Sequence, residues 1–389
     1  MVDGSVVLGM LSWCPSMEPL AHTLAGACLA ESGLKRLTPL ATSTLLIAAN
    51  LPDLDGACYL HSSDLAFSFR RGLTHGILAM AVLPVLLTVI MLVIERWIRL
   101  RRSPGAAPAK AGPLFLLSLV GTLSHPFLDW LNNYGVRLLM PFSGRWFYGD
   151  ALFIVDPFLW IVLGGAVMLA WTTHRPGILT WLVVGTGTTL LLVFNPLVPF
   201  WARIVWLAAA AAWVAARLVV PEAWRPRLAV AALVVACAYI AAMITGSRLA
   251  ERQVRAIATA QGWPVGEVAA MPVPADPLRR MIIAVEADRY RFVSVNWLTR
   301  RTTPAEPSVV ERGARSPAVD AALAAPFAQG VRNWLRFPSY EVRPLGDGGS
   351  RVIIRDARFS IGNRPGFGVI TIVDLDRALR PRPGPPLGN

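Results

Sequence analysis

Up to about residue 246 the hydrophobic positions of this chain fall into long unbroken runs and do not alternate with polar ones. Runs at roughly 72–94, 113–131, 151–171, 178–195, 200–219 and 228–246 approach or exceed the length at which a helix crosses a hydrocarbon core. Two shorter apolar runs, 20–33 and 38–49, come first. Between them lies Ser32-Gly33-Leu34-Lys35-Arg36, with Gly33 suited to a helix end and Pro39 to a helix start. They predict a helical hairpin that is short for a full crossing, so tilted or packed inside a bundle. The second run ends at Asn50-Leu-Pro-Asp-Leu-Asp55, where Pro52 stops the helix and presents Asp53 and Asp55 on one side of a turn. A polar loop then leads to Arg70-Arg-Gly-Leu-Thr-His75 at the head of the next run. In the run 113–131, His125 and Asp129 lie one helical turn apart, on a common face.

After Gly246 the pattern changes. Met281-Ile-Ile-Ala-Val-Glu286, Arg351-Val-Ile-Ile-Arg355 and Gly368-Val-Ile-Thr-Ile-Val373 alternate as strands do, with Pro-rich connectors around them. Asp347-Gly-Gly-Ser predicts a hairpin turn before the second of these. The expected fold class is therefore a polytopic α-helical membrane protein with a small, mostly β, soluble domain at its C-terminal end.

Composition agrees: 54% of the 389 residues are hydrophobic, 16% are charged, and mean hydropathy is +0.51. A net charge of +13 could suggest nucleic acid. In a membrane protein, however, Lys and Arg gather in cytoplasmic loops, so no specific nucleic-acid partner is expected. Cys14, Cys28, Cys58 and Cys237 are widely spaced and form neither a disulfide framework nor a thiolate metal site. The first stretch has no basic leader or small-residue cleavage pattern, so the later apolar segments act as the targeting signal. Met17-Glu-Pro-Leu reads as a fresh start, which makes residues 1–16 a dispensable or mis-assigned extension.

The basic loop 95–112 (Arg96, Arg99, Arg101, Arg102, Lys110) marks a cytoplasmic side. Counting crossings from it places His22, Asp53, Asp55, His75, His125 and Asp129 together at the outer face, with Asp150 and Asp156 at the mouth of the following helix. Ionisable groups at membrane depth are costly unless paired or functional. Three imidazoles and three carboxylates suit zinc, or manganese or magnesium where carboxylates dominate, and six candidates suggest two bridged ions. Arg70 and Arg71 beside His75 have the geometry for a phosphate clamp. Asn50, Asp150 and Asp156 are second-tier candidates, each also suited to capping a helix. His61 sits in a polar loop, and His174 counts to the cytoplasmic side. A transporter is disfavoured, since the segment 178–219 carries no Asp or Glu and no half of the chain mirrors the other.

Met17-Glu-Pro-Leu-Ala-His-Thr-Leu-Ala-Gly26, Ala49-Asn-Leu-Pro-Asp-Leu-Asp55 and Arg71-Gly-Leu-Thr-His75 together resemble the YdjM-type membrane-bound metal-dependent hydrolases. Ser124-His-Pro-Phe-Leu-Asp-Trp130, Asn133-Tyr-Gly135 and Trp146 through Asp156 fit the same family. The resemblance implies His22, Asp53, Asp55, His75, His125 and Asp129 as the metal site. The family is itself distantly similar to zinc-dependent phospholipases C and single-strand-specific zinc nucleases, which use three zincs and further His ligands. Here only His61 and His174 are left over.

The expectation is an inner-membrane metal-dependent hydrolase acting on a phosphoester, a lipid headgroup foremost, at the outer membrane–water interface. Metal-activated water would be oriented by Asp53 or Asp55 while Arg70 or Arg71 holds the phosphate. A nuclease, an amide hydrolase or a non-enzymatic protein with a structural metal are the alternatives. The expected domains are 17–171 for the metal-binding helices, 172–246 for further spans, 247–380 for an extracytoplasmic β-rich domain and 381–389 for a disordered tail.

Overall fold

The computed structural model describes residues 18–60, 63–359 and 369–382. The proposed extension 1–16, Met17, His61 and most of the tail lie outside them. The short hairpin is α1 (Glu18–Glu31) and α2 (Ala41–Asn50). A 3-10 stretch, Leu51–Leu60, leads to α3 (Ser63–Phe69), a helix where the polar composition predicts a loop. Then come α4 (Ile77–Ile94, helical on to Arg102), α5 (Ala111–Trp130), α6 (Pro157–Trp171), α7 (Arg175–Phe194), α8 (Phe200–Val219) and α9 (Arg225–Ala260). Five of these are long and apolar enough to cross a membrane: α4, α5, α7, α8 and α9 with their flanking turns.

The spanning helices are inverted in polarity relative to a soluble bundle. On α5 the buried positions are Leu114, Leu117, Ser118, Gly121, Thr122, His125, Pro126 and Asp129, while Phe115, Leu116, Leu123 and Phe127 are exposed. Apolar surface left outside is what lipid contact requires, and small or polar groups inside let helices approach closely. Gly121 marks a close approach between α5 and α2: a Cβ there would meet the Ala48 Cβ at 2.6 Å. Gly121→Val is therefore expected to cost about 1–3 kcal/mol through overpacking. A thermal melt of the detergent-solubilised protein with an unchanged midpoint would show that α2 and α5 are not pressed together there.

Helix α6 is wrapped on several sides. Leu159, Trp160, Leu163, Ala166 and Val167 are buried with Leu24 and Cys28 of α1, Trp206 of α8 and Ala229, Ala232, Ala236 and Ile240 of α9. It starts at Pro157, not at residue 151 as the hydrophobic run predicts. Residues before it form an irregular loop in which Asp150 has a positive φ of 51°. Asp156 caps the helix, its Oδ1 accepting from the Leu159 amide at 2.9 Å.

The expected boundary at Gly246 is also corrected. Helix α9 runs on unbroken to Ala260, because Ser247, Ala250, Val254 and Ala258 continue a buried helical face. That face leaves the bundle and packs on Val268, Ala270, Ile282, Val293 and Val295. The C-terminal domain holds two antiparallel sheets: β1 (Glu267–Val273), β2 (Asp276–Val285), β3 (Arg289–Asn296) and β4 (Arg301–Glu311) in sequential order, and β5 (Pro338–Pro344), β6 (Ser350–Asp356) and β7 (Val369–Leu375) likewise. Between the sheets lie α10 (Pro317–Ala324) and α11 (Gln329–Trp334). The hairpin β5–β6 turns at Asp347-Gly-Gly, as its residues predict, with Gly348 at φ 84° and Asp347 Oδ1 accepting from Gly349. Pro381 and Arg382, read as the start of the tail, pair with β7.

The domain sits against the loop 131–152 that joins α5 to α6. Arg336 bonds both oxygens of Asp150, and Arg280 reaches the Ala151 carbonyl and the Ser247 hydroxyl, which itself donates to the Asp150 carbonyl. Trp146 donates to the Asn333 carbonyl at 2.8 Å.

Candidate metal centre

Four chain segments meet at one end of the bundle. Helix α1 brings His22; the 3-10 stretch after α2 brings Asp53 and Asp55; the turn before α4 brings His75; the last turns of α5 bring His125 and Asp129. Asp53, His75, His125 and Asp129 each offer a donor atom, and those atoms lie within 4.8 Å of one another. His75 Nε2 is 3.1 Å from Asp129 Oδ2 and 4.0 Å from Asp53 Oδ1. His125 Nε2 is 3.5 and 3.6 Å from the same two oxygens. Both imidazoles are fully buried, and the Asp53 side chain, at 13% exposed, is the most open of the four.

The far nitrogen of each ring is anchored. His125 Nδ1 lies 2.6 Å from the Ala49 carbonyl. A carbonyl only accepts, so Nδ1 carries a proton there and Nε2 is the nitrogen turned toward the carboxylates. His75 Nδ1 faces Thr74 Oγ1 at 3.0 Å and Asp55 Oδ2 at 3.3 Å. Asp55 Oδ2 also accepts from Thr74 Oγ1 at 2.7 Å and from the Arg71 amide at 2.9 Å. Asp55 thus lies behind His75, on the side away from the four-donor cluster, where a carboxylate orients a ligating ring.

The atoms that face inward have no hydrogen-bond partner: His75 Nε2, His125 Nε2, Asp53 Oδ1 and Oδ2, and Asp129 Oδ2. Such burial without partners costs about 1–3 kcal/mol per group, more for charged ones, and a cation at the centre removes the cost. Burial pushes the Asp53 carboxyl up, but His125 and Arg70 more than offset this and hold it below the usual carboxylate range. The nitrogen and oxygen donors fit zinc, with manganese or another hard divalent ion also accommodated.

His22 stands beside this set. Its ring stacks on His125 with centroids 3.7 Å apart, and its Nε2 is 3.4 Å from Asp129 Oδ1. A cavity of about 30 Å³ opens next to it, lined by His22, Asp129, Asn132 and Asp156 with apolar Leu128 and Leu159 among the remainder. That volume holds on the order of two waters.

The arginines are buried in the same network. Arg71, in a left-handed conformation at φ 52°, sends one guanidinium nitrogen to Asp129 Oδ1 at 2.8 Å and another to Asn132 Oδ1 at 2.8 Å. Its charge also lies over the Tyr134 ring, 4.6 Å from the centroid. Arg70 lies 3.9 Å from Asp53 Oδ1. Of the second-tier candidates, Asn50 is tied to Leu46 and Thr23 within the helix packing, Asp150 is paired with Arg336, and Asp156 caps α6 and accepts from Tyr239. His174 begins α7 at the opposite end of the bundle. Sequence reasoning missed Asn132 and the Ala49 carbonyl. Asn132 carried only a loop signal, and a main-chain acceptor carries none.

A multi-pass helical bundle with a buried His/Asp cluster at one end defines a membrane protein with a possible metal site. Residues 17–197 match the family described as YdjM inner membrane protein, and the five apolar helices agree with a multi-pass inner membrane protein. The match extends past the expected limit at 171 through α7 and leaves the β-sheet domain outside. An uncharacterized protein, YfhP, of Bacillus subtilis (strain 168) is 25% identical over 172 residues, covering 42% of this chain and 49% of that protein. The matched stretch thus spans about half the length of that curated relative. No solved structure matches the chain.

Proposed function

We propose that this protein is a membrane-bound metal-dependent hydrolase whose substrate is a phosphoester, foremost a lipid headgroup. The observation that carries the reading is the convergence of unpartnered His75 Nε2, His125 Nε2, Asp53 and Asp129 Oδ2 on one point. A divalent ion bound there lowers the pKa of water and offsets charge on a phosphoryl group. Asp53 is the candidate to accept a proton from the attacking water, being the least enclosed of the four donors. Asp55 and the Ala49 carbonyl hold the two rings in their tautomers. Arg70, beside Asp53, is positioned to meet an anionic substrate oxygen, and Arg71 serves first to fix Asp129. One ion is the minimum the four donors support; a second bridged ion would draw on His22 and the free side of Asp53.

The outer face is the proposed location. Lys35, Arg36, Arg99, Arg101, Arg102, Lys110, Arg217 and Arg225 gather at the opposite end of the helices, as cytoplasmic loops do. The β-sheet domain then lies outside with the site.

Purified protein loaded with zinc or manganese is expected to hydrolyse a phosphodiester lipid headgroup, and chelation should remove the activity. Single-stranded DNA and amide substrates run in parallel separate the nuclease and amidase alternatives. The enclosure of His75, His125 and Asp129 favours one rival, a structural ion. Metal-loaded protein inactive on every substrate would decide for that rival.

A further inference from the structure

The domain outside the family match is joined to the metal centre by a chain of directional bonds. Arg358 is fully buried, and Asp356 neutralises it through paired bonds of 3.0 and 2.8 Å. Its remaining donors go to main-chain carbonyls: Asn133 at 3.0 Å, Tyr134 at 3.4 Å and Trp334 at 3.0 Å. Trp334, also fully buried, donates from Nε1 to the Tyr134 carbonyl at 3.3 Å and lies tilted against the Tyr134 ring, centroids 4.8 Å apart. Within the same turn Asn132 Oδ1 accepts from the Tyr134 amide at 2.9 Å and from Arg71 at 2.8 Å. Arg71 in turn occupies Asp129 Oδ1, which leaves Oδ2 as the oxygen facing His75 and His125.

We infer that Arg358 and Trp334 are positioning residues for the metal centre, acting through the Asn132–Tyr134 turn and Arg71 to select which Asp129 oxygen faces the ion. The inference rests on the metal-centre reading above. Ordinary domain packing needs only apolar contact. A buried guanidinium is expensive, and here one of its nitrogens, Nη1, is spent on the carbonyls of the turn that orients Arg71. The domain therefore supplies part of the support that places a ligand, where metal sites are sensitive to small displacements.

The test uses the full-length chain in detergent or nanodiscs, with zinc affinity read by chelator competition and geometry by the absorption spectrum of bound cobalt. Arg358→Lys keeps the charge but cannot serve Asp356 and the carbonyls together. It is expected to weaken zinc binding about tenfold and to shift the cobalt bands. Trp334→Phe keeps an aromatic ring and the charges but loses the N–H bond to the Tyr134 carbonyl and part of the buried ring, so it carries the test if Arg358→Lys fails to fold. It should shift the bands in the same direction. Arg351→Ala, which breaks an exposed pair with Asp374 in the same domain, should change neither readout. Wild-type affinity and spectrum in both Arg358→Lys and Trp334→Phe would overturn the inference and leave the metal centre standing. A wild-type chain that binds neither metal would overturn the metal centre and the inference with it.

Discussion

His75→Ala/His125→Ala is expected to reduce the metal content of the purified protein from stoichiometric to background. Both nitrogens of the four-donor cluster are lost, leaving Asp53 and Asp129, and two carboxylates alone hold zinc poorly. The rings are also the pieces held by the surrounding structure, through the Ala49 carbonyl and the Thr74–Asp55 pair. Among the described residues no other histidine is placed to substitute, apart from His22 stacked at the edge of the set. His174→Ala, at the far end of the bundle, should leave the content unchanged. Elemental analysis of the three proteins reads the result directly. Equal metal in the double variant and the wild type would place the ion elsewhere.

The second large effect lies in the β-sheet domain. Asp356→Ala leaves Arg358 buried with no counter-charge. Losing one partner of such a pair typically costs about 3–5 kcal/mol. The same residue sets a pH limit. Burial pushes the Asp356 carboxyl up, but Arg358 and the amides of Arg336 and Arg358 outweigh it, so the folded value lies below the ordinary one. A depressed carboxyl stabilises the fold fully above its unfolded value of about 3.9 and less as pH falls through the folded value. Thermal midpoints followed by tryptophan fluorescence should therefore hold between pH 7 and 5 with respect to this group and decline below about pH 4. In Asp356→Asn that acid-dependent decline should shrink. An unchanged slope there would assign the acid sensitivity to other groups.

The parts of the structure visible in the sequence are those governed by local periodicity. The run 200–219 is α8 to the residue, and the alternation at 281–286 and 351–355 marks β2 and β6. His125 and Asp129 were legible for the same reason, since one helical turn puts them on a shared face. Their meeting with Asp53 and His75 followed from counting crossings, which fixes an end of the bundle but no distance. Segments where tertiary contact overrides local preference were not legible. Helix α9 passes the change in composition at Gly246 because Ala250 and Val254 find a sheet to pack on, and nothing near Gly246 announces that sheet. The division of labour between Asp53 and Asp55 was equally hidden. Two residues apart on a tight turn, they face opposite sides of His75, and only the path of the Arg71–Thr74 backbone decides which one lies behind the ring. Arg358 had no readable signal, its acceptors in the 133–134 turn lying 225 and 224 residues away.

Helix α9 is 36 residues long. At 1.5 Å per residue that is about 54 Å, against a hydrocarbon core of roughly 30 Å. The surplus stands in the aqueous phase as the spine of the β-sheet domain, with no joint between the two portions. A thinner or thicker bilayer that changes the lean of this rod would swing the β-sheet domain through the same angle, a mechanical route from lipid to domain.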